Sequence, residues 1–431
     1  MKICVINLGC KVNQYEVDAI ISSLEGQHQV ADALCPADLY IVNTCAVTGI
    51  AERKSRQYIA KILKLNPEAK IIVCGCASEA DAKQFENKPN VVTILGTAKK
   101  GEIKNILTQK LGNIVEEIPT EYEEELSFIR HTPRQLRCHP STLEGNFGRT
   151  RAYLKIQDGC DNFCSYCLIP KIRGRSRSRS LKNIAAEAEI LSKTAKEIVL
   201  TGINMSDYKI GSQLALTELI TALKGVNCRL RLSSLENNIV DEPLLTALKG
   251  FKNFCPHFHL SLQSGSNQVL KDMNRRYTRT QFLEKVALIR KCFDQPAITT
   301  DIIVGYPAET EQDFCDTLDL VKKAEFSDVH FFAYSKREGT PAGKLKQING
   351  SIIKDRETRL SKLTEELKIK YNSKFVGKKL SVLFEENADG CNVGYSANYI
   401  RCYFKSNKDL SNQILEVTGR QIFKDGLLCD A

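Results

Sequence analysis

A chain of 431 residues with a net charge of +10 is long enough for two or three domains with cores of their own. It holds no run of eighteen apolar residues that would read as a membrane span. Its seventeen cysteines follow no secretory leader, because Met1-Lys2-Ile3-Cys4-Val5-Ile6-Asn7 reads as a strand. That pattern excludes a disulfide-stapled secreted fold and points to the cytoplasm, where thiols serve as ligands or packing groups. The positive balance suits a polyanionic partner and equally suits plain solubility.

Residues 1–117 read as the first domain. Three apolar, β-branched runs (2–8, 39–44 and 70–75) lead into helix-like segments such as 47–65, which predicts crossovers and a parallel sheet. Each run ends at a cysteine: Cys10, Cys45 and Cys76. Ligands of open α/β sheets collect beyond the carboxyl ends of the strands, so these three thiols are expected to converge on one edge. Cys4, Cys35 and Cys74 fit the plainer expectation of buried packing thiols.

A linker is expected over 118–145, beginning in an acidic stretch (six acids in 116–125) and ending in Pro, Gly and Arg. Residues 146–371 carry six strand-like runs (152–157, 197–202, 228–233, 257–262, 297–305 and 328–334) with helical segments between them. Six such units fit a partial TIM-like (β/α)6 barrel with its chemistry at the carboxyl ends of the strands. Directly after the first run comes Cys160-Asp161-Asn162-Phe163-Cys164-Ser165-Tyr166-Cys167. Thiolates are soft ligands, and a [4Fe–4S] cluster usually takes four of them. Three without a nearby fourth leave one iron open, whereas zinc usually wants a second pair that is missing here. His257, His259 and His330 read as strand residues with satisfied rings.

Two basic stretches are candidates for phosphate contact. Residues 171–182 carry six cations and no acid, among them Arg173, Arg175, Arg177 and Arg179. Lys271 to Tyr277 adds Arg275 and Arg276 beside an aromatic ring that can stack on an unpaired base. A packing helix is predicted over 352–371. Residues 372–431 then give short strands with turns, a small barrel whose eight basic and seven acidic residues offer no strong RNA clamp.

The C-x3-C-x2-C loop resembles the signature of radical S-adenosylmethionine (SAM) enzymes, and the whole chain resembles their methylthiotransferase family. Leu8-Gly9-Cys10-Lys11-Val12-Asn13-Gln14-Tyr15-Glu16 resembles the branch acting on N6-threonylcarbamoyladenosine 37 of tRNA. The resemblance implies an α/β fold throughout: an N-terminal parallel-sheet domain, a (β/α)6 radical SAM barrel, and a small C-terminal antiparallel β-barrel of the TRAM, RNA-binding kind. It implies two [4Fe–4S] clusters, held by Cys10, Cys45 and Cys76 and by Cys160, Cys164 and Cys167, and two SAM per turnover. Gly202, Ser233 and Glu236 are the implied SAM contacts. The implied partners are a tRNA anticodon stem-loop, a flavodoxin or ferredoxin as electron donor and an unidentified sulfur donor, with the enzyme a monomer. The competing readings are a sister enzyme acting on isopentenyladenosine or a ribosomal protein, and a zinc-stabilised RNA-binding protein without catalysis.

Overall fold

The computed structural model describes residues 1–108 and 150–431; the linker expected over 118–145 lies outside the described residues. The first sheet is built from β1 (Lys2–Asn7), β2 (Gln29–Ala31), β3 (Leu39–Thr44), β4 (Lys70–Gly75) and β5 (Val91–Leu95). All pairings are parallel, in the order β2-β1-β3-β4-β5. Helices α1 (Lys11–Leu24), α2 (Gly49–Leu65) and α3 (Cys76–Ala80) follow β1, β3 and β4. Side chains alternate across the sheet, so Ile3, Val5, Ile41 and Ile72 fill one core while Cys4, Ile6, Val42 and Val73 fill the other. Cys4 and Cys74 are fully buried packing thiols as expected, while Cys35 is half-buried.

The second unit begins with β6 (Arg151–Asp158) and a five-residue helix α4 (Ile169–Arg173). Strands β7 (Glu197–Gly202), β8 (Arg229–Leu232), β9 (His257–Gln263), β10 (Ala297–Val304) and β11 (Asp328–Ala333) complete the six expected runs. The third of these runs, 228–233, ends early, and pairing passes to the two-residue strand Ser234–Leu235 beside β9. Leu154, Ile156, Ile198, Leu200, Leu230, Phe258 and Leu260 point outward into one large core under the helices. The alternate residues, Lys155, Gln157, Arg231, His259 and Asp301 among them, therefore face the barrel interior. Helix α1 lies against β6 on that inner side, where Glu16 pairs with Lys155.

Helix α5 (Gly350–Ser373) packs on β11 and leads into a closed five-stranded barrel over β12 (Lys379–Ala388), β13 (Cys391–Ser396), β14 (Arg401–Phe404), β15 (Ile414–Phe423) and β16 (Gly426–Asp430). One pair departs from the antiparallel expectation: β14 and β16 run parallel and close the barrel. This small barrel docks on the amino-terminal ends of the large barrel's strands. Tyr399 stacks on His257, the first residue of β9, at 4.4 Å between ring centroids, and Arg231 lies 4.8 Å from the same Tyr399 ring. Arg229 donates to the Ser381 carbonyl at 2.6 Å, and Arg151 pairs with Glu385. Among the described residues no helix is long and apolar enough to cross a membrane.

Candidate active site

The loop after β6 is fixed by its own backbone and by the strand ends around it. Gly159 sits at φ +72°, and a Cβ there would lie 2.0 Å from the Arg175 carbonyl, so only glycine fits. Beyond it, Cys160 N–H donates to Gly174 O (3.2 Å), Cys167 N–H to Cys164 O (3.0 Å) and Ser165 N–H to Met273 O (3.1 Å). The Ile169 N–H points at Cys167 Sγ, 3.4 Å away. Arg275 donates to Cys164 Sγ at 3.5 Å while its other nitrogen pairs with Glu236. Burial pushes the Cys160 thiol up to about 11 and the Cys167 thiol up to about 12. Both are therefore protonated at neutral pH until a metal displaces the proton.

Cys10, Cys45 and Cys76 stand beyond β1, β3 and β4, which are adjacent in the sheet. Cys10 occupies the N-cap of α1 without any side-chain cap bond, and Cys76 is the first residue of α3. The turn into α3 needs Gly75 at φ +108°, since a Cβ would meet Asn43 Oδ1 and Thr44 O at 2.6 Å. Burial pushes the Cys45 thiol up to about 11, and the charges of Cys76 and Cys10 would add to that rise. Buried Asn13 ties the edge together: its Nδ2 donates to Thr44 O (3.1 Å), and its Oδ1 faces Cys76 Sγ (3.9 Å).

The two trios meet through α4. At about 1.5 Å per residue this helix is roughly 8 Å long, and it runs from just past Cys167 to Arg173, whose Nε lies 3.4 Å from Cys76 Sγ. The Arg173 guanidinium also bonds Asn13 Oδ1 (2.6 Å), Glu16 (2.8 Å) and Asp158 (3.1 Å). Lys155 and Lys100 complete this buried network on Glu16, at 2.8 and 2.7 Å. On the far side Arg337, past β11, donates to Ala46 O (2.6 Å) and pairs with Glu52, and Ser335 accepts from Gly49 N–H. The edge bearing one trio is thus clamped over the barrel mouth bearing the other. A cavity of about 570 Å³ opens beside the Cys160–Cys167 loop, lined by Asp161, Asn162, Phe163, Glu236, Arg275 and Arg276 among others.

Each trio offers three soft sulfurs, the donor chemistry of an iron–sulfur cluster. Among the described residues no three His, Cys, Asp or Glu are gathered for a single metal ion. A cluster does not require that, because each thiolate takes its own iron. The donor sets therefore fit [4Fe–4S] units with one iron left free.

Residues 2–96 match the family described as uncharacterized protein family UPF0004, and residues 154–321 match the radical SAM superfamily. The chain is 35% identical to the threonylcarbamoyladenosine tRNA methylthiotransferase MtaB of Bacillus subtilis, over 95% of this chain and 92% of that protein. It is 38% identical to the protein of that name from Thermotoga maritima, over 93% and 90% of the two chains. The chain belongs to the radical SAM methylthiotransferase family. A tRNA-2-methylthio-N(6)-dimethylallyladenosine synthase of Clostridium novyi is 35% identical over 88% of this chain and 84% of its own. Among solved structures, the radical SAM methyltransferase TsrM of Kitasatospora setae superposes with a TM-score of 0.55 at 16% identity. That likeness covers 79% of this chain and 77% of that one, and it shows the fold alone. As a family member this methylthiotransferase uses SAM and [4Fe–4S] clusters.

Several expected contacts of the methylthiotransferase fall elsewhere. Arg173 and Arg179 are 1% and 3% exposed, the first on Glu16 and Asp158, the second on Glu187 at 2.7 Å. Arg177 donates to the Arg173 carbonyl, and Arg275 is held by Glu236 and the Ser261 carbonyl. Arg173 and Arg179 are interior groups and so cannot serve as surface phosphate contacts, while Arg177 and Arg275 are half-buried with their guanidiniums turned to protein partners. Arg175 and Arg276 are exposed, and both line the cavity. Glu236 lines it too, whereas Ser233 is buried with its hydroxyl toward Thr201 and Met205, and Gly202 lies against Gln157. His259 has both ring nitrogens partnered, by Thr299 and Asp301; His257 keeps Nδ1 without a partner. Asn13 and Glu16 stand in the motif over residues 8–16 without a role read for them, and Lys155 and Asp158 had no motif to announce them.

Proposed function

We propose that the protein methylthiolates C2 of N6-threonylcarbamoyladenosine at position 37 of tRNA. The observation that carries this reading is the clamping of two three-thiol sets onto one seam, in a chain 35–38% identical to enzymes bearing that name. Cys160, Cys164 and Cys167 would hold one [4Fe–4S] cluster and Cys10, Cys45 and Cys76 the other. When bound, the clusters and SAM supply the radical chemistry and the methylated sulfur that an unactivated C–H bond demands and acid–base side chains lack.

The chain's own groups do the rest. Arg275 and Arg173 each aim a guanidinium at one sulfur of a trio, which favours the thiolate over the thiol. Glu236 and Glu16 hold those guanidiniums in register. Gly202, Ser233 and Glu236 remain the proposed surroundings of SAM, Glu236 from the cavity wall and Ser233 by shaping the strand end behind it. Arg276 and Arg175, the latter paired with Asp161 at 3.1 Å but 71% exposed, are the proposed contacts for tRNA phosphates. The units 1–117, 146–371 and 372–431 would act as sulfur-donating, radical and RNA-holding parts of one cytoplasmic monomer, reduced by a flavodoxin or ferredoxin.

The identity with the Clostridium novyi protein favours one second reading, dimethylallyladenosine as acceptor. Mass spectrometry of bulk tRNA nucleosides from a strain lacking the gene decides between them. Loss of 2-methylthio-threonylcarbamoyladenosine is the expected result; loss of the dimethylallyl species, or of neither, overturns it.

A further inference from the structure

Helix α2 buries Ser55, Ile59 and Ile62 and turns its opposite face outward. On that face Ile50, Arg53, Lys54, Gln57, Lys61 and Lys64 recur at helical spacing, and all six are exposed. Four are cations, and within the helix none has an acid three or four residues away. The one acid of α2, Glu52, is half-buried and pairs with Arg337 at 2.9 Å. Among the described residues the four cations make no hydrogen bond or ion pair, and Lys61 lies 5.0 Å over the Tyr58 ring.

Helix α5 shows how a solvated face is usually composed. Its exposed residues mix Lys354 and Lys362 with Asp355 and Glu365, and Arg359 pairs with Asp355 one turn back. Opposite charges one turn apart support a surface helix, whereas like charges such as Lys61 and Lys64 oppose it. A stripe of one sign gains when an anion covers it.

Position says which polyanion. The start of α2 is pinned to the rim of the large barrel, where Gly49 N–H donates to Ser335 Oγ (3.0 Å) and Ala46 O accepts from Arg337. Val47 and Ile50 stand there 57% and 65% exposed, two and five residues past Cys45. The barrel is open on the same flank. Strand β11 is the edge of its sheet, and among the described residues no pairing joins it to β6. Phe331 packs outward into the core, so Phe332 faces inward, and it is 48% exposed. A base entering by this flank passes the head of α2, and the phosphates behind it can follow the stripe. From Arg53 to Lys64 the stripe is about 16 Å long, roughly the rise of five nucleotides in a duplex strand. An acidic electron-donor protein would instead seek the Cys160–Cys167 loop, whereas α2 adjoins the other trio.

We propose that the outer face of α2 is a tRNA-binding surface. Arg53, Lys54, Lys61 and Lys64 meet phosphates of the anticodon stem, and Ile50 packs on a base beside the one that reacts, as apolar side chains do against base steps. This rests on tRNA as the substrate, though not on which adenosine is modified. It gives an RNA contact to a domain otherwise read only as the sulfur donor.

The test measures binding of the reconstituted holoenzyme to a fluorescent anticodon stem-loop carrying threonylcarbamoyladenosine, from about 50 to about 200 mM salt. Lys61→Gln/Lys64→Gln is compared with Lys354→Gln/Lys362→Gln, which removes the same charge from α5. The α2 pair should lose roughly 10-fold in affinity and reduce the salt slope by about 1.5, equally on a stem-loop carrying dimethylallyladenosine. The α5 pair should leave the slope as it is. Ile50→Ser should weaken binding a few-fold with the slope unchanged, and every variant should keep the iron content and the RNA-independent SAM cleavage of the parent. Equal slopes for the α2 and α5 pairs would make the stripe a solvated face and overturn the proposal. A parent-like slope with a raised demand for flavodoxin in SAM cleavage would give the face to the electron donor and overturn it likewise. A parent that binds neither stem-loop in a salt-dependent way would sink the tRNA reading and this proposal with it, a failure visible before any variant is made.

Discussion

The two thiol trios reach similar chemistry by opposite routes. One is a single eight-residue loop, held by bonds such as Cys167 N–H to Cys164 O. The other is drawn from three strand ends up to sixty-six residues apart, at Cys10, Cys45 and Cys76, and exists only because β1, β3 and β4 lie side by side. Each trio nevertheless has one sulfur met by a guanidinium that a glutamate holds: Arg275 with Glu236 on the cavity wall, Arg173 with Glu16 in the interior. Local loops can carry ligands by spacing alone, whereas ligands scattered through the sequence need a rigid sheet and a buried charge network to fix their geometry.

The sharpest way to break the comparison is to remove one sulfur from each side. Cys164→Ala should abolish 5′-deoxyadenosine formation, while Cys45→Ala should still form it but transfer no methylthio group; each should hold about four irons against about eight in the parent. Methylthiolation by Cys45→Ala, read by nucleoside mass spectrometry, would end the division of labour.

Next in size is the network behind the scattered trio. Burial alone would raise the Glu16 carboxyl, but Arg173, Lys100 and Lys155 hold it well below the usual carboxylate range. Its contribution is therefore present above about pH 4.5 and is lost as pH falls through the lower folded value. Glu16→Gln should cost about 3–5 kcal/mol, since it leaves three buried cations short of their shared acid. Urea unfolding of the parent and the variant measures it, and a cost under 1 kcal/mol would mean that the network relaxes.

Smaller still is the electronic effect of the two guanidiniums. Arg173→Gln should lower the reduction potential of the Cys10–Cys45–Cys76 cluster by on the order of 50 mV and leave the other unchanged, and Arg275→Gln should do the reverse. Potentiometric titration followed by electron paramagnetic resonance reads both. Equal shifts at both clusters would deny that each guanidinium serves its own trio. Least is expected of the surface: Arg175→Ala and Arg276→Ala should weaken tRNA binding a few-fold each and reduce the salt slope by about one.

Much of this architecture was legible in the chain. The runs 39–44, 70–75 and 197–202 are strands to the residue, because β-branched stretches bounded by polar turns leave little choice. Gln29–Ala31 was too short to register, and Val91–Leu95, although apolar, closes the first sheet as a strand the pattern of three did not require. The arginine run misled for a physical reason. Arg173, Arg177 and Arg179 have no acid within their own run, yet Glu16, Asp158 and Glu187 fold onto them, and only the tertiary structure decides which cations of such a run are spent inside. Asn13 and Glu16, one and two turns into α1, were invisible as chemistry because they act on groups more than a hundred residues away.

Tyr399 lays its ring on His257 at the base of the large barrel. Its consequence is for water. A residue of the small barrel thus forms part of the floor beneath the space where the reaction is proposed to run. Tyr399→Ala, by thinning that floor, would let water rise from below into a space where a reactive carbon centre has to wait for its sulfur.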